Sequence, residues 1–344
     1  MKIGIVNSLN LEKRTGIEEY VYQLLKHLPM VDEHKNHQFF LLAPFISNEV
    51  RNIAGYTPKV LKWPFRFFWT QIRLSWEMLK NKPDVLFVPA HTFPLIHPKL
   101  VITIHGLEYE NIPQAYSFWE RIKSRFLTKR NAKKAEKIIV PSQSVKNDLI
   151  KFYRINQEKI FVVYHGVEAK SSKPIAKSSS KYILYLGGGH KRKNIEGLKK
   201  AYEILKEKYP PASPAKLGGR GKIQHELVLA GVDKYISADE KWKLLKNADI
   251  MVYPSLCEGF GFPPIEAQSF GVPVVSSNVS AMPEVLGDSA ILINSNNPEE
   301  IADAIYKVLS DENLRNELIK KGQENVKRFS WPKCAKETIK VITL

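Results

Sequence analysis

Hydrophobic and polar positions follow two alternating periods along most of the chain. In the first half, short runs of β-branched and aromatic residues are typical of buried strands. These runs are KIGIV (2–6), FFLLA (39–43), DVLFV (84–88), LVITI (100–104), KIIVP (137–141) and IFVVY (160–164). Between them, stretches such as GIEEYVYQLLKHL and SFWERIKSRFLTKRNAKKA carry apolar residues at helical spacing. The alternation predicts a parallel sheet covered by helices on both faces.

The same pattern begins again in the second half. A Ser/Lys/Pro segment at 171–181 has too few large apolar side chains to pack and is predicted to be a linker. The runs YILYLG, HELVLAG, DIMVYPS, VPVVSS and SAILIN are predicted to follow as strands, with helical patterns between them. A Pro/Gly-rich loop at 210–224 is predicted to be mobile. The tail from residue 311 predicts two helices separated near 329–332. The sequence therefore predicts an α/β protein with two Rossmann-like domains.

Composition and charge narrow the class of protein. The 344 residues, 44% hydrophobic and 25% charged, are typical of a globular protein of about two domains. Two cysteines cannot build a disulfide framework, and no secretory signal precedes the first strand, so a cytoplasmic location is expected. Prolines, histidines and a lysine interrupt the most apolar stretch, 84–107, which argues against a transmembrane helix. The net charge of +17 favours anionic partners, but no nucleic-acid-binding motif accompanies it.

A glycine-rich segment, YLGGGHKRKNIEGL, is a candidate phosphate site. The dinucleotide-binding pattern G-x-G-x-x-G would need glycine at Arg192, so that interpretation is weak. Gly187 ends a strand and lets backbone approach a ligand, and Arg192 and Lys193 stand near the start of the next helix. Unpaired amides, the helix dipole and fixed cations together favour a phosphate. A solvated basic turn is the alternative.

The first domain repeats this arrangement in NSLNLEKRTGIEEYVYQLL. A strand and a loop lead to Gly16 at a helix start, where the backbone amide is a second candidate phosphate contact. A plain turn residue is the alternative for this glycine.

Two glutamates mark a third site, in SLCEGFGFPPIEA at 255–267. The preceding strand DIMVYPS ends at the carboxyl edge of its sheet, where ligands of open α/β sheets bind. Pro263 and Pro264 suit the first turn of a helix, which places Glu266 in that turn and Glu258 on the loop before it. The arrangement predicts a clamp of two carboxylates with backbone donors between them. Alternatively, Glu266 only complements the helix dipole and Glu258 is solvated.

The E-x7-E spacing of EGFGFPPIE, preceded by NADIMVYPS and followed by AQSFGVPVVSSNVSAMPEVLGDSAILIN, resembles the retaining group-1 glycosyltransferases of GT-B fold. TGIEEYVYQLL, VITIHGLEY, KIIVPSQSVKNDLIKFY, VVYHGV and LGGGHKRKN occur in that family's order. The resemblance implies an acceptor domain at 1–168 and a donor domain at 169–329. It also implies a terminal helix, at about 330–344, that packs back on the first domain.

The resemblance also implies a nucleotide-sugar donor in a cleft between the domains. Glu266 would accept hydrogen bonds from the ribose hydroxyls, and Glu258 would face the transferred sugar. Arg192 and Lys193 would neutralise the leaving diphosphate. His105, at the end of VITIH, matches the family histidine beside the sugar and the β-phosphate. The other donor-binding residues implied are Gly16, Gly187, Gly259, Phe260, Gly261 and Phe262.

Transfer from a nucleotide-sugar develops negative charge on the diphosphate and oxocarbenium character on the sugar. No Asp-x-Asp-like cluster suggests a metal, and fixed cations can replace one. We therefore predict metal-independent, cofactor-free transfer with retention of configuration, in which the leaving phosphate takes the acceptor's proton. The sequence departs from the family in two places: only VDKYIS separates HELVLAG from the helix at 238–248, and Gly106 replaces a common aspartate.

The predicted reaction moves a hexose such as mannose to a saccharide or a lipid-linked saccharide, as in polysaccharide biosynthesis. One alternative is a degenerate nucleotide-sugar-binding protein, favoured by the shortened segment after Gly231. Another is a GT-B sugar-nucleotide epimerase, against which the glutamate spacing argues.

The segment WPFRFFWTQIRLSWEMLK at 63–80 is aromatic and basic at helical spacing. One interpretation is a peripheral contact with an anionic membrane, at its inner face, that carries a lipid-linked acceptor. The other is a helix packed into the core through its Trp, Phe and Leu side chains.

Overall fold

The computed structural model describes residues 1–31, 37–65, 67–90, 93–168, 181–209 and 224–344. Apart from their last residues, the predicted linker at 171–181 and the predicted loop at 210–224 lie outside these ranges. The chain divides into two compact units. The first comprises Met1–Glu110, Tyr116–Gly166 and Trp331–Leu344, and the second comprises Asn111–Ala115 and Val167–Ser330.

The first unit contains a parallel sheet of seven strands in the order β3-β2-β1-β4-β5-β6-β7. The strands are β1 (Lys2–Val6), β2 (Gln38–Ala43), β3 (Tyr56–Val60), β4 (Val85–Val88), β5 (Lys99–Thr103), β6 (Lys137–Val140) and β7 (Ile160–Val162). The second unit contains a parallel sheet of five strands in the order β12-β11-β10-β8-β9. Its strands are β8 (Tyr182–Leu186), β9 (Glu226–Ala230), β10 (Ile250–Tyr253), β11 (Val274–Ser277) and β12 (Ile291–Ile293).

Helices connect the strands of both sheets, and three further helices follow the last strand. In chain order they are α1 (Gly16–His27), α2 (Asn48–Arg51), α3 (Leu74–Lys80), α4 (Glu108–Asn111), α5 (Phe118–Lys134), α6 (Gln143–Tyr153), α7 (Ile195–Lys208), α8 (Ala238–Asn247), α9 (Phe262–Ser269), α10 (Met282–Leu286), α11 (Pro298–Ser310), α12 (Glu312–Val326) and α13 (Trp331–Thr343). No helix in the described part of the chain combines the length and the apolar character that crossing a membrane requires.

The predicted α/β class is confirmed, and all eleven predicted strands are present within two residues of their expected bounds. Apolar runs identified them because parallel strands are covered on both faces: every residue of β4 and of β10 is buried. The sequence did not predict β3, whose residues are half-buried or exposed and include Pro58. This strand forms the edge of its sheet, where a proline removes no required hydrogen bond.

Buried polar side chains fix the position of α9 in the second unit. Asn325 of α12 donates to the Gln268 side chain of α9 over 2.9 Å, and Gln268 donates to Ser289 Oγ over 2.8 Å. All three side chains are buried, so their hydrogen bonds offset the cost of removing them from water. The network anchors the helix that carries Glu266.

The helix α13 follows the separation predicted near 329–332 and packs on α1 and β6 within the first unit. It buries seven side chains along one face, among them Trp331, Cys334 and Ile339. Lys137 of β6 donates to the carbonyl oxygen of Val341 over 3.1 Å. Apolar burial and this polar contact hold the C-terminal helix on the sheet.

Candidate functional site

The second unit brings two predicted motifs to one sheet edge. Strands β8 and β10 are parallel neighbours, so the segments after Leu186 and Tyr253 leave the sheet at the same edge. The first of these segments carries Gly187, Arg192 and Lys193, and the second carries Glu258. The carboxyl edge of an open parallel sheet is the usual ligand position in such folds.

The glycine segment turns sharply after β8. Gly187 has φ +156°, and its amide already donates to the carbonyl of Ala230 over 2.9 Å. Its contribution is therefore conformational, because the amide is used in the sheet ladder. Gly231 has φ +84°, and a Cβ there would lie 3.2 Å from the carbonyl oxygen of Gly187. Both positions suit glycine.

Glu258 lies at the centre of a charged cluster. Its Oε1 atom is 2.5 Å from Lys193 Nζ and 3.0 Å from Arg192 Nη1. The Tyr253 hydroxyl donates to the same oxygen over 3.1 Å, and the Glu258 amide donates to Ser280 Oγ over 2.9 Å. The structure therefore brings the predicted cations and one predicted carboxylate into direct contact.

The cluster has an excess of one positive charge. Burial by itself would raise the pKa of the Glu258 carboxyl, but the charges of Lys193 and Arg192 outweigh burial and lower it to about 2. Burial, together with the charge of Glu258, holds the pKa of Tyr253 well above its usual value. At neutral pH one carboxylate therefore faces two cations and a protonated phenol, an arrangement suited to an incoming anion.

The loop between the two glutamates is closely packed. Gly261 has φ +87°, a conformation that residues with a side chain rarely adopt, and a Cβ there would meet the terminal methyl group of Met282. The ring of Phe260 is buried and makes edge contacts with Phe262 and Phe329, each at 5.5 Å between ring centroids. Gly259 is also buried. The ring of Phe260 is therefore engaged in packing within the second unit.

The prediction that Glu266 lies in the first turn of its helix is wrong. Helix α9 begins at Phe262, after Gly261 in the left-handed region, and its first turn has no acidic residue. Glu266 is the fifth residue of the helix and is buried. Its Oε1 atom lies 2.6 Å from Nζ of Lys241 on α8. A cation from another helix, rather than the helix dipole, therefore balances this carboxylate.

The first unit holds His105, two residues after β5. Its Nε2 atom lies 2.8 Å from the carbonyl oxygen of Pro89, so Nε2 carries the proton of that hydrogen bond. The ring of Tyr20 meets His105 edge-on at 4.9 Å between centroids. A backbone carbonyl and an aromatic ring thus orient the imidazole.

A second histidine, His165, lies next to His105. His165 is buried, its ring is 5.6 Å from that of His105, and it stacks on Trp331 of α13 at 6.3 Å. Burial lowers the pKa of His165 well below its ordinary value, and His105 lowers it further. His165 is therefore a neutral packing partner. The terminal helix contributes an aromatic side chain to the surroundings of a predicted site residue.

Gly16 lies where the sequence predicted it, at the start of α1. The preceding residue, Thr15, donates its amide to the Glu18 side chain over 3.3 Å, and Glu18 and Glu19 lie in the first turn. Two carboxylates already complement the helix dipole at this end. A phosphate at Gly16 would therefore bind beside acidic side chains.

Sequence reasoning missed several residues of these clusters. Tyr253 could have been found, because a polar tip at the end of a buried strand must have a partner. Lys241 gave no signal. His165 and Ser280 lie within the quoted motifs but were assigned no role, because their contacts depend on how helices and loops pack.

Family comparisons match the two halves of the chain separately. Residues 166–325 match the family glycosyl transferases group 1, and residues 14–171 match Glycosyltransferase Family 4. The chain is 27% identical to O-antigen chain mannosyltransferase B of Escherichia coli, over 96% of each protein. It is 28% identical to the O-antigen chain mannosyltransferase RfbU of Salmonella typhimurium, over 88% of this chain and 90% of that protein.

Solved structures resemble the chain over its full length. A sucrose-phosphate synthase from Thermosynechococcus elongatus has a TM-score of 0.69 at 17% identity, covering 98% of this chain and 97% of its own. WaaG, a glycosyltransferase involved in lipopolysaccharide biosynthesis, has a TM-score of 0.68 at 13% identity over 99% of both chains. Anabaena HepE in complex with UDP-glucose has a TM-score of 0.67 at 14% identity, covering 100% of this chain and 99% of its own.

Proposed function

The chain belongs to the group-1 glycosyltransferases and has the GT-B fold, and we propose that it is a retaining hexosyltransferase. It moves a hexose from a nucleotide diphosphate sugar to a saccharide or a lipid-linked saccharide. The observation that carries the proposal is the cluster of Arg192, Lys193 and Glu258 at the carboxyl edge of the second sheet. The names of the two mannosyltransferase relatives support mannose as the sugar.

The cluster suits a leaving diphosphate. As the bond between the sugar and the phosphate breaks, negative charge grows on the diphosphate oxygens. Arg192 and Lys193 are partly buried, fixed cations that can stabilise this charge. Glu258 neutralises one of the two charges before the donor binds. The diphosphate then competes for these cations, while the carboxylate becomes available to the hydroxyls of the transferred sugar.

The same cations support a reaction without a metal. Fixed positive side chains can stabilise the leaving group as a divalent ion would. The leaving phosphate takes the acceptor's proton, and the sugar keeps its anomeric configuration. Activity should persist in EDTA, whereas loss in EDTA with recovery on adding manganese would contradict this part. Proton NMR of the first product formed would report the configuration.

Two further donor contacts are assigned, one to Glu266 in the second unit and one to His105 in the first. Glu266, held by Lys241, is a carboxylate that can accept hydrogen bonds from ribose hydroxyls. His105 is oriented through Nε2 by the Pro89 carbonyl and is assigned to the donor sugar and the β-phosphate. The backbone of 259–262 and the amide of Gly16 are assigned further contacts with the donor, and Gly187 shapes the turn that leads to Arg192 and Lys193.

A donor screen tests the proposal most directly. Thermal shift and hydrolysis should be measured across UDP-, GDP- and ADP-sugars, with GDP-mannose expected to stabilise the protein and to be turned over. Binding without turnover for every donor and acceptor would favour the alternative of a degenerate nucleotide-sugar-binding protein. The feature that raises this alternative is the short segment between β9 and α8, which has only seven residues, 231–237. Failure of every nucleotide-sugar to bind would overturn the proposal.

We also propose a peripheral contact with an anionic membrane. Within 63–80, the buried side chains of Trp69, Leu74 and Met78 fit the core-packing interpretation. Other large side chains of the first unit are exposed, namely Phe65, Phe67, Phe68, Ile72, Trp76 and Leu79, with Phe118, Trp119 and Phe126 on α5. Exposed aromatic groups among lysines and arginines are typical of a membrane-surface contact.

Liposome flotation tests the membrane contact. The protein should float with vesicles that contain anionic lipid, and less with neutral vesicles. Phe67→Ser with Trp76→Ser should reduce flotation, because both rings are more than half exposed. Replacing the exposed Phe45, which lies outside both segments, with Ser serves as the control. Absence of binding to anionic vesicles would remove this proposal.

A further inference from the structure

Lys241 is the cation that faces Glu266. The two side chains are 20% and 8% exposed, and Nζ lies 2.6 Å from Oε1. Lys241 is the fourth residue of α8, which begins after the Ser237 cap. This helix follows the short segment 231–237, where the sequence predicts a departure from the family pattern.

A buried carboxylate needs a partner in order to remain charged. A nearby cation offsets the cost of burying such a charge. A carboxylate has about four lone-pair acceptor sites, and a protonated carboxyl offers fewer. Lys241 therefore favours the form of Glu266 that accepts hydrogen bonds from two hydroxyls.

We propose that Lys241 is a positioning residue for the ribose of the donor nucleotide. It acts through Glu266 by holding that carboxylate charged and in one orientation, and it touches no reacting atom itself. The inference rests on the proposed function, because it assigns Glu266 to the ribose. It adds a determinant from α8 that the spacing of the two glutamates does not reveal.

A purely structural role is the alternative. Trp242, the next residue of α8, stacks on Phe270 at the end of α9, with ring centroids 5.6 Å apart and planes at 27°. This aromatic contact already joins the two helices. If Lys241 only adds to that contact, its loss should lower thermal stability and affect every nucleotide equally, with or without ribose hydroxyls.

A thermodynamic cycle that combines variants of the protein with deoxy variants of the ligand separates these two roles. Calorimetric titrations would compare GDP and UDP with their 2′-deoxy and 3′-deoxy counterparts on the wild type, Lys241→Met, Lys241→Arg and Glu266→Gln. Lys199→Met is the matched control, because Lys199 forms an exposed ion pair with Glu196 on α7. Thermal melts verify that each variant is folded, and Lys241→Gln replaces the methionine variant if that one is not.

We expect Lys241→Met to weaken binding of the ribonucleotide by about tenfold, the size of a lost charge-assisted hydrogen bond. The deoxy counterpart that lacks the hydroxyl bound by Glu266 should be weakened much less, and Lys241→Arg should restore most of the affinity. Equal weakening of both ligands, or no weakening of either, would overturn the inference. If the wild type binds no nucleotide, the proposed function fails first, and the inference fails with it.

Discussion

Glu258 and Glu266 differ in their partners although they lie on one short segment and are equally buried, each 6% exposed. Glu258 is on a loop and faces Lys193, Arg192 and the Tyr253 hydroxyl. Glu266 is inside a helix and faces one lysine from a neighbouring helix. The difference indicates that a buried carboxylate is better understood from its partners than from its spacing in the sequence.

The partners suggest opposite effects on a bound nucleotide. The cations that hold Glu258 are the same ones assigned to the diphosphate, so Glu258 and the ligand compete for them. Lys241, which holds Glu266, is assigned to no phosphate, so Glu266 and the ligand do not compete. One carboxylate therefore opposes binding of the anion before it assists transfer, and the other favours binding throughout.

The largest expected effect comes from removing a cation of the cluster. Lys193→Met should lower kcat by about 100-fold or more, because a missing donor to developing charge typically has that effect. Lys191→Met is the control, since Lys191 is exposed in the same short turn, Lys191–Lys193. Steady-state kinetics with the donor found in the screen measure both. Equal losses in the two variants would show that only the total charge of the turn matters.

The comparison is sharpest for the two isosteric variants. Glu258→Gln should bind nucleoside diphosphate about tenfold more tightly than the wild type, because Lys193 and Arg192 lose their competing carboxylate. Transfer should nevertheless be slower, because the sugar loses a charged partner. Glu266→Gln should bind about tenfold more weakly. Calorimetry measures both affinities. Changes in nucleotide affinity of the same sign for both variants would contradict the proposed difference between Glu258 and Glu266.

Much of the fold and part of the site could be predicted from the sequence. Buried parallel strands are continuous apolar runs, so eleven of the twelve strands in the described ranges were predicted. Strand β3 was missed because an edge strand can be polar and can contain a proline, here Pro58. Local motifs predicted Arg192, Lys193 and Glu258 as candidates, and the structure brings the three side chains into contact. The contact of Lys241 with Glu266 could not be predicted, because 25 residues separate the two and only the packing of α8 on α9 brings them together. The stacking of Trp331 on His165 could not be predicted from the sequence either.

The ion pairs of Glu258 should make the free energy of unfolding depend on pH in the acid range. Its pKa is lowered to about 2 in the fold from an ordinary value of 4.5, so the carboxylate contributes stability above pH 4.5 that is lost as the pH falls towards 2. Between pH 5 and pH 3 the wild type should lose about 2 kcal/mol more unfolding free energy than Glu258→Gln, which cannot titrate. Urea titrations at several pH values measure this difference, and parallel losses would contradict the charged cluster.

The smallest expected effect comes from removing a serine that contacts the backbone of Glu258, which lies on a loop, or of Glu266, which lies on a helix. Ser280 Oγ accepts the amide of Glu258 over 2.9 Å, whereas the Ser269 hydroxyl donates to the carbonyl of Glu266 over 2.7 Å. Ser280→Ala should lower stability by about 1 kcal/mol and slow transfer a few-fold, since no helix holds the Glu258 backbone. Ser269→Ala should leave nucleotide affinity and transfer nearly unchanged, because α9 fixes Glu266 independently. Stopped-flow and equilibrium titrations of the two variants separate these outcomes. A larger loss of transfer in Ser269→Ala would mean that the helix, and not the loop, is the sensitive support of the site.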